Sequence, residues 1–122
     1  MDLQFQVECQ HGVAVVCCSG RLVRGKALEA FRSRLERLES IRVLVVDLSE
    51  LEQLDAGGLG ALLLIRRAAR CNGIQMRLVD PSPFVLRVLA ATRLTSVFEV
   101  SSLEEALCIL QSPGDRPHFA IA

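Results

Sequence analysis

Residues 54–60 read Leu-Asp-Ala-Gly-Gly-Leu-Gly, and this stretch decides how the rest of the chain is interpreted. It follows an apolar run and precedes a helical pattern, so it joins a strand to a helix. The paired glycines remove side chains where that helix begins, and backbone amides there carry partial positive charge. Two interpretations stay open: an anion or acidic group approaches these amides, or the glycines serve a tight turn with positive φ.

The glycines do not form a nucleotide-binding fingerprint. GxGxxG requires a different glycine spacing, and a Walker A loop requires a Lys-Ser/Thr pair that the stretch lacks. The amides at the helix start leave weak nucleotide binding as an alternative.

The chain before this loop predicts a hairpin, a helix and a buried strand. Apolar residues alternate along residues 3–8, and a turn at His11-Gly12 leads to a second strand over 13–18. Residues 26–39 carry an apolar stripe at helical spacing. The stripe consists of Leu28, Phe31, Leu35 and Leu38. The continuous apolar run at 43–46, which ends in Asp47, is typical of a strand covered on both faces.

Beyond the loop, helical and strand patterns alternate. Helices are predicted over 59–71, from Ser82 onward and over 102–110, with strands over 75–79 and 97–100. The chain is therefore α/β: a small mixed sheet of four to five strands, opened by an N-terminal hairpin and flanked by about four helices. We predict one domain over 1–112 and a C-terminal tail over 113–122.

Composition narrows the function classes. The 122 residues include 14 basic and 14 acidic ones, which argues against a nucleic-acid binder because such proteins carry a basic excess. Balanced charge also gives no attraction to anionic membranes. No apolar run is long enough to span a bilayer and no signal peptide is visible, so we predict a cytoplasmic domain without membrane insertion.

The titratable residues predict neither catalysis nor a metal site. The five cysteines (Cys9, Cys17, Cys18, Cys71 and Cys108) have no CxxC spacing and are predicted to be buried free thiols. Cys17 and Cys18 should point to opposite faces of their strand. No nucleophile–histidine set or carboxylate pair stands out, so we predict no enzyme, no cofactor and no metal.

Several ordered stretches resemble the STAS family, best known from bacterial anti-sigma factor antagonists. Residues 19–22 resemble the family's G-x-L after strand two, 45–49 its hydrophobic-D-L-S strand end, and 54–60 its D-S-S-G-L-G loop. Residues 78–83, 98–100 and 103–107 follow the rest of the pattern. The resemblance spans nearly the whole chain.

The resemblance implies a small sheet flanked by helices and a protein partner. In the family's sporulation and stress-response members, a partner kinase that is also the anti-sigma factor phosphorylates a serine of the D-S-S-G loop. The unphosphorylated protein binds that kinase and frees the sigma factor. Phosphorylation adds close to two negative charges and blocks binding.

The chain departs from this pattern at the phosphoacceptor. Ala56 and Gly57 replace both serines, and Gly57 occupies the acceptor position without a hydroxyl. Val23 stands where an acidic residue is common. Asp55 is retained, and we expect it to cap the helix and fix the loop. Ser49 is expected to be a turn residue rather than a substitute phosphosite.

A second departure follows the third helix. The family often has T-G-L there, whereas this chain has Arg93 between Thr92 and Leu94. We predict a positive φ at Arg93, because the glycine position favours a left-handed conformation.

The predicted function is therefore a non-enzymatic protein-binding module without the phosphorylation switch. Its docking surface is predicted to contain Asp55, Ala56, Gly57, Gly58, Leu59 and Leu62. Residues 59–65 are apolar around the whole helix, so a second apolar face is either covered by neighbouring helices or exposed to a partner. The alternatives are a STAS scaffold in a stressosome-like, lipid-transport or anion-transport assembly, and a self-associating subunit such as a homodimer.

Overall fold

The computed structural model describes residues 3–102, where five strands and three helices follow the predicted order. The strands are β1 (Gln4–Gln10), β2 (Val13–Leu22), β3 (Val43–Leu54), β4 (Gln75–Val79) and β5 (Glu99–Ser101), and the helices are α1 (Lys26–Glu36), α2 (Ala56–Cys71) and α3 (Pro83–Ala91). The α/β prediction is confirmed. The predicted helix over 102–110 and the domain boundary at 112 lie outside the described residues, apart from Ser102. Within residues 3–102, no helix is long and apolar enough to cross a bilayer.

The sheet keeps the strands in chain order. β1 pairs antiparallel with β2, and β2, β3, β4 and β5 are mutually parallel. One helix connects each pair of consecutive parallel strands. Since every connection is a right-handed crossover and the sheet always grows toward the same edge, all three helices lie on the same face. The main core accordingly joins Phe31 of α1, Ile65 of α2 and Leu89 of α3 to Val46 and Leu78 of the sheet.

The central strand is buried on both faces, as its apolar run predicted. Leu44 and Val46 point into the main core beneath the helices. Val43 and Val45, each at most 3% exposed, belong to a second cluster with Val79 on the opposite face.

β3 is longer than its apolar run. We predicted its end at Asp47, but Ser19 and Leu22 of β2 continue the pairing with Glu50 and Leu54 after a bulge. Ser49, expected in a turn, lies within this irregular part of β3. The stretch 54–60, expected to join the strand to the helix, therefore shrinks to the single residue 55, and α2 begins at Ala56 instead of Leu59.

The first helix is shorter than predicted. It ends at Glu36 rather than Glu39, because the backbone leaves helical geometry at Arg37 and Ser40 has a positive φ of 63°. The predicted stripe is nevertheless buried, including Leu38 beyond the helix end. On the outer side, Arg32 bridges to two glutamates of the same helix.

Three of the four described cysteines contradict the prediction of burial. Cys18 is buried, whereas Cys9, Cys17 and Cys71 are exposed free thiols. Cys9 lies on the edge strand β1, and Cys71 is the last residue of α2. Cys17 and Cys18 do point to opposite faces of β2, as alternation requires. Cys108 lies outside the described residues.

The predicted left-handed residue is present at the end of α3. Arg93 has a φ of 61°. Its N–H donates to the Ala90 carbonyl at 3.1 Å, and the Leu94 N–H donates to the Leu89 carbonyl at 2.8 Å. These two bonds form a Schellman motif with arginine where glycine is usual.

Candidate functional site

Asp55 links β3 to α2, and its carboxylate holds the junction from two sides. Oδ1 accepts the Gly58 N–H at 2.8 Å in the first turn of α2. Oδ2 accepts the Arg24 N–H at 3.2 Å from the connection between β2 and α1. The expected roles of Asp55 in capping the helix and fixing the loop are confirmed.

These contacts also keep the carboxylate ionised. The Gly58 N–H has the largest effect and lowers the pKa of Asp55; burial opposes it, and the Arg24 and Gly57 amides and the Arg24 charge lower the pKa further. With both oxygens engaged by backbone amides, Asp55 is a structural acceptor. Among residues 3–102, no three His, Cys, Asp or Glu side chains are grouped so as to hold a metal ion.

Gly58 is required by a close approach of two backbones. A Cβ at this position would collide with the Leu22 carbonyl oxygen and lie 2.9 Å from Leu54 Cδ1. The same carbonyl accepts the Asp55 N–H at 3.4 Å, so the end of β2 touches the first turn of α2. Gly57 and Gly58 are helical and have no positive φ. The interpretation of a tight left-handed turn is therefore wrong.

Gly57, at the predicted phosphoacceptor position, packs beneath Arg24. A Cβ added there would lie 3.2 Å from Arg24 Cβ and 3.2 Å from Asp55 Oδ1. Such spacing is tight but leaves room if Arg24 shifts slightly. The loop position that the family resemblance singles out is thus where the start of α2 meets the β2–α1 connection.

The outer face of α2 is defined by Ala56, Gly60, Leu64, Arg67 and Cys71. They recur at spacings of three and four residues, which places them on one side of the helix. The first two turns of this face are small or apolar, and Leu64 is 46% exposed. The face becomes basic only at Arg67.

The structure redistributes the predicted docking residues. Asp55 and Ala56 are exposed, and Gly57 and Leu59 are half-buried. Gly58 is buried at the backbone contact, and Leu62 is fully buried in the core. The placement of Leu62 on the surface is therefore corrected.

The apolar start of α2 is partly covered by neighbouring elements and partly exposed, so both predicted alternatives occur. α1 packs against α2, and Leu59 and Leu63 are half-buried against the core. Leu64 remains outside this packing. Sequence reasoning missed it because the run 62–65 gives no sign of which leucine faces outward; its spacing of four residues from Gly60 and eight from Ala56 was the available signal.

Comparisons with known proteins agree with this architecture. The model of the STAS domain family matches residues 4–106. A STAS-domain containing protein of Pseudomonas aeruginosa is 37% identical over 76 residues, which are 62% of this chain and 75% of that protein. The anti-sigma factor antagonist SpoIIAA in its unphosphorylated form superposes with a TM-score of 0.74 at 23% identity, covering 93% of this chain and all of SpoIIAA. An anti-sigma factor antagonist from Mycobacterium paratuberculosis gives 0.71 at 24% identity, covering 91% and 96%.

Proposed function

Since the chain belongs to the STAS domain family, we propose that it is a non-enzymatic protein-binding regulator of the anti-sigma-factor-antagonist kind. The partner docks on Ala56, Gly57, Gly60 and Leu64, called here the docking face. The partner class expected from the resemblance is an anti-sigma factor with serine kinase activity.

Gly60 is the observation that carries this proposal. Glycine inside a helix costs about 1 kcal/mol relative to alanine. A Cβ at Gly60 would have no neighbour within 4 Å outside its own stretch of helix, and its φ is not left-handed. Within the described part of the chain, no contact requires position 60 to lack a side chain. A partner backbone that approaches α2 closely would require it.

Leu64 supports the same face. Its side chain is 46% exposed one turn after Gly60, and large exposed apolar side chains beside small residues suit a protein interface. Leu86 of α3 is similarly exposed at 41% but has no glycine one turn before it, which makes it a matched control.

In this proposal, phosphorylation at position 57 does not switch docking on or off. Gly57 offers no hydroxyl, and the carboxylate of Asp55 is engaged by the Gly58 and Arg24 amides. The negative charge that phosphorylation would add has no acceptor at position 57.

Affinity capture from extracts of the source cells tests the proposal. The full chain is compared with Gly57→Glu, which adds negative charge to the docking face, and with Ala90→Glu, which adds the same charge on an exposed position of α3. Circular dichroism checks that all three proteins are folded. We expect Gly57→Glu to lose a partner that wild type and Ala90→Glu both retain.

The identity of the captured protein separates the alternatives. An ATPase-type anti-sigma factor supports the proposal, whereas a transporter subunit indicates the scaffold alternative. Retention of every specific partner by Gly57→Glu would place the docking surface elsewhere. Self-association without another partner, measured by size-exclusion with light scattering, would indicate a structural subunit.

A further inference from the structure

We infer that the partner places an acidic group beside the docking face, against Arg24 and Lys26; this inference rests on the proposed function and specifies the chemistry of the partner. The connection from β2 into α1 reads Arg-Leu-Val-Arg-Gly-Lys over residues 21–26. It contains three cations and no carboxylate. Arg24 and Lys26 are exposed.

Arg24 is adjacent to the docking face in space, and Lys26 lines the same small cleft as Arg24. Arg24 Cβ lies 3.2 Å from the position of a Cβ on Gly57, and the Arg24 N–H is bonded to Asp55. The first turn of α2 adds the partial positive charge of its amides at the same place. Arg24 therefore borders the small and apolar start of α2.

Asp55 and two carboxylates of α1 already have partners. Asp55 accepts two backbone N–H groups, and on α1 Glu29 and Glu36 pair with Arg32 at 2.7 and 3.1 Å. Asp55 offsets one positive charge and leaves an excess. A partner that presents carboxylates here gains electrostatic attraction, whereas one that presents Lys or Arg is repelled.

A small cleft among these cations gives an acidic side chain a place to enter. Its volume is about 160 Å³, and its lining includes Arg21, Arg24, Lys26, Leu3 and Val23. A cavity of about 150 Å³ holds a benzene molecule, so the cleft matches one side chain. A lining of both apolar and cationic side chains suits a glutamate, whose methylenes and carboxylate can contact both.

Two synthetic helical peptides of equal length test the inference. They share one Leu/Ala face and carry either Glu or Lys at the flanking positions. Binding to the ¹⁵N-labelled full chain is measured by fluorescence anisotropy and by amide chemical shifts. We expect the Glu peptide to bind about fivefold tighter, as two exposed charge pairs allow, with shifts centred on Arg24, Gly57 and Gly60.

Charge reversal provides the control. Arg24→Glu/Lys26→Glu should reverse the preference, whereas Arg34→Glu/Arg87→Glu, at exposed cations of α1 and α3, should preserve it. Equal affinity for the two peptides, including no measurable binding of either, would overturn the inference. The inference also fails if the captured partner tolerates Arg24→Glu/Lys26→Glu but not Gly57→Glu; the proposed function then stands. If the partner tolerates all of these variants, the proposed function itself fails.

Discussion

The backbone N–H of Arg24 donates to Oδ2 of Asp55 at 3.2 Å and so joins two connections 31 residues apart in sequence. The other oxygen of Asp55 caps α2 at Gly58. One side chain therefore fixes the start of α2 relative to the basic connection that precedes α1. The relative position of the docking face and its neighbouring cations depends on this carboxylate.

Replacing Asp55 should destabilise the fold through the lost cap. Asp55→Ala is expected to lower the free energy of unfolding by about 1 kcal/mol, the usual cost of removing an N-cap acceptor. Asp55→Asn should retain most of the stability at pH 7, because its amide oxygen can still accept the Gly58 N–H. Urea unfolding of both variants measures this, and equal losses would contradict the capping argument.

The charge of Asp55 predicts that the stability of the fold depends on pH. Its pKa is lowered in the folded state, chiefly by the Gly58 N–H, so its ionised form contributes stability above the unfolded pKa of about 4. That contribution is lost as the pH falls through the lower folded pKa. The advantage of wild type over Asp55→Asn should therefore shrink below about pH 4. If wild type stays more stable than Asp55→Asn by the same amount down to about pH 2, the ionised carboxylate is not the source of the difference.

Gly58 and Gly60, three and five positions after Asp55, should change the stability in opposite directions when each is replaced by alanine. Gly58→Ala forces a Cβ against the Leu22 carbonyl and should cost about 1–3 kcal/mol. Gly60→Ala enters open space and should stabilise the free protein by up to about 1 kcal/mol. Thermal melting compares the two. A destabilised Gly60→Ala would mean that the glycine serves the fold rather than a partner.

Replacing the left-handed Arg93 by glycine should stabilise the fold. Arg93→Gly removes the cost of about 1–2 kcal/mol that a non-glycine residue has in the left-handed conformation. Glycine also makes the unfolded chain more flexible, which offsets part of this, so we expect the free energy of unfolding to rise by about 0.5–1 kcal/mol. Arg87→Gly, inside α3, should instead destabilise by about 1 kcal/mol. Both are measured by urea unfolding. A loss of stability in Arg93→Gly would show that the arginine side chain makes a compensating contact.

The cysteines should differ in alkylation rate. Burial raises the pKa of Cys18 to about 12, so its thiol should resist iodoacetamide at pH 8. Cys9 and Cys71 are exposed and should react readily. Cys17 is exposed too, but partial burial and the charges of Asp47 and Glu8 raise its pKa and should slow it. Mass spectrometry of the labelled peptides gives the order, and rapid labelling of folded Cys18 would contradict it.

The sequence predicted the fold class because local patterns and tertiary packing agree in most elements. The stripe of α1 and the run at 43–46 are buried as their patterns indicate, and the alternation in β1 places Phe5 and Val7 half-buried against the core. The end of β3 was missed because its last residues are held by pairing with β2 rather than by an apolar pattern of their own. That pairing is a long-range property.

The candidate site was predictable in part. Asp55 is a standard capping residue in front of a helix, and its role was legible from the sequence. The need for Gly58 arises from the Leu22 carbonyl, and Arg24 reaches the site from 31 residues away. Neither contact leaves a local signal. Leu62 and Leu64 are indistinguishable in an apolar run until the helix is seated on the sheet.

The most direct test of the docking face compares two exposed leucines. Leu64→Glu and Leu86→Glu introduce the same charge at side chains of similar exposure, 46% and 41%, on different helices. Affinity for the captured partner is measured by calorimetry, with thermal melting as a check on folding. We predict that Leu64→Glu weakens binding by about tenfold or more, equivalent to about 1.4 kcal/mol, while Leu86→Glu stays close to wild type. Unchanged affinity in folded Leu64→Glu would contradict the proposal that the partner docks at the start of α2.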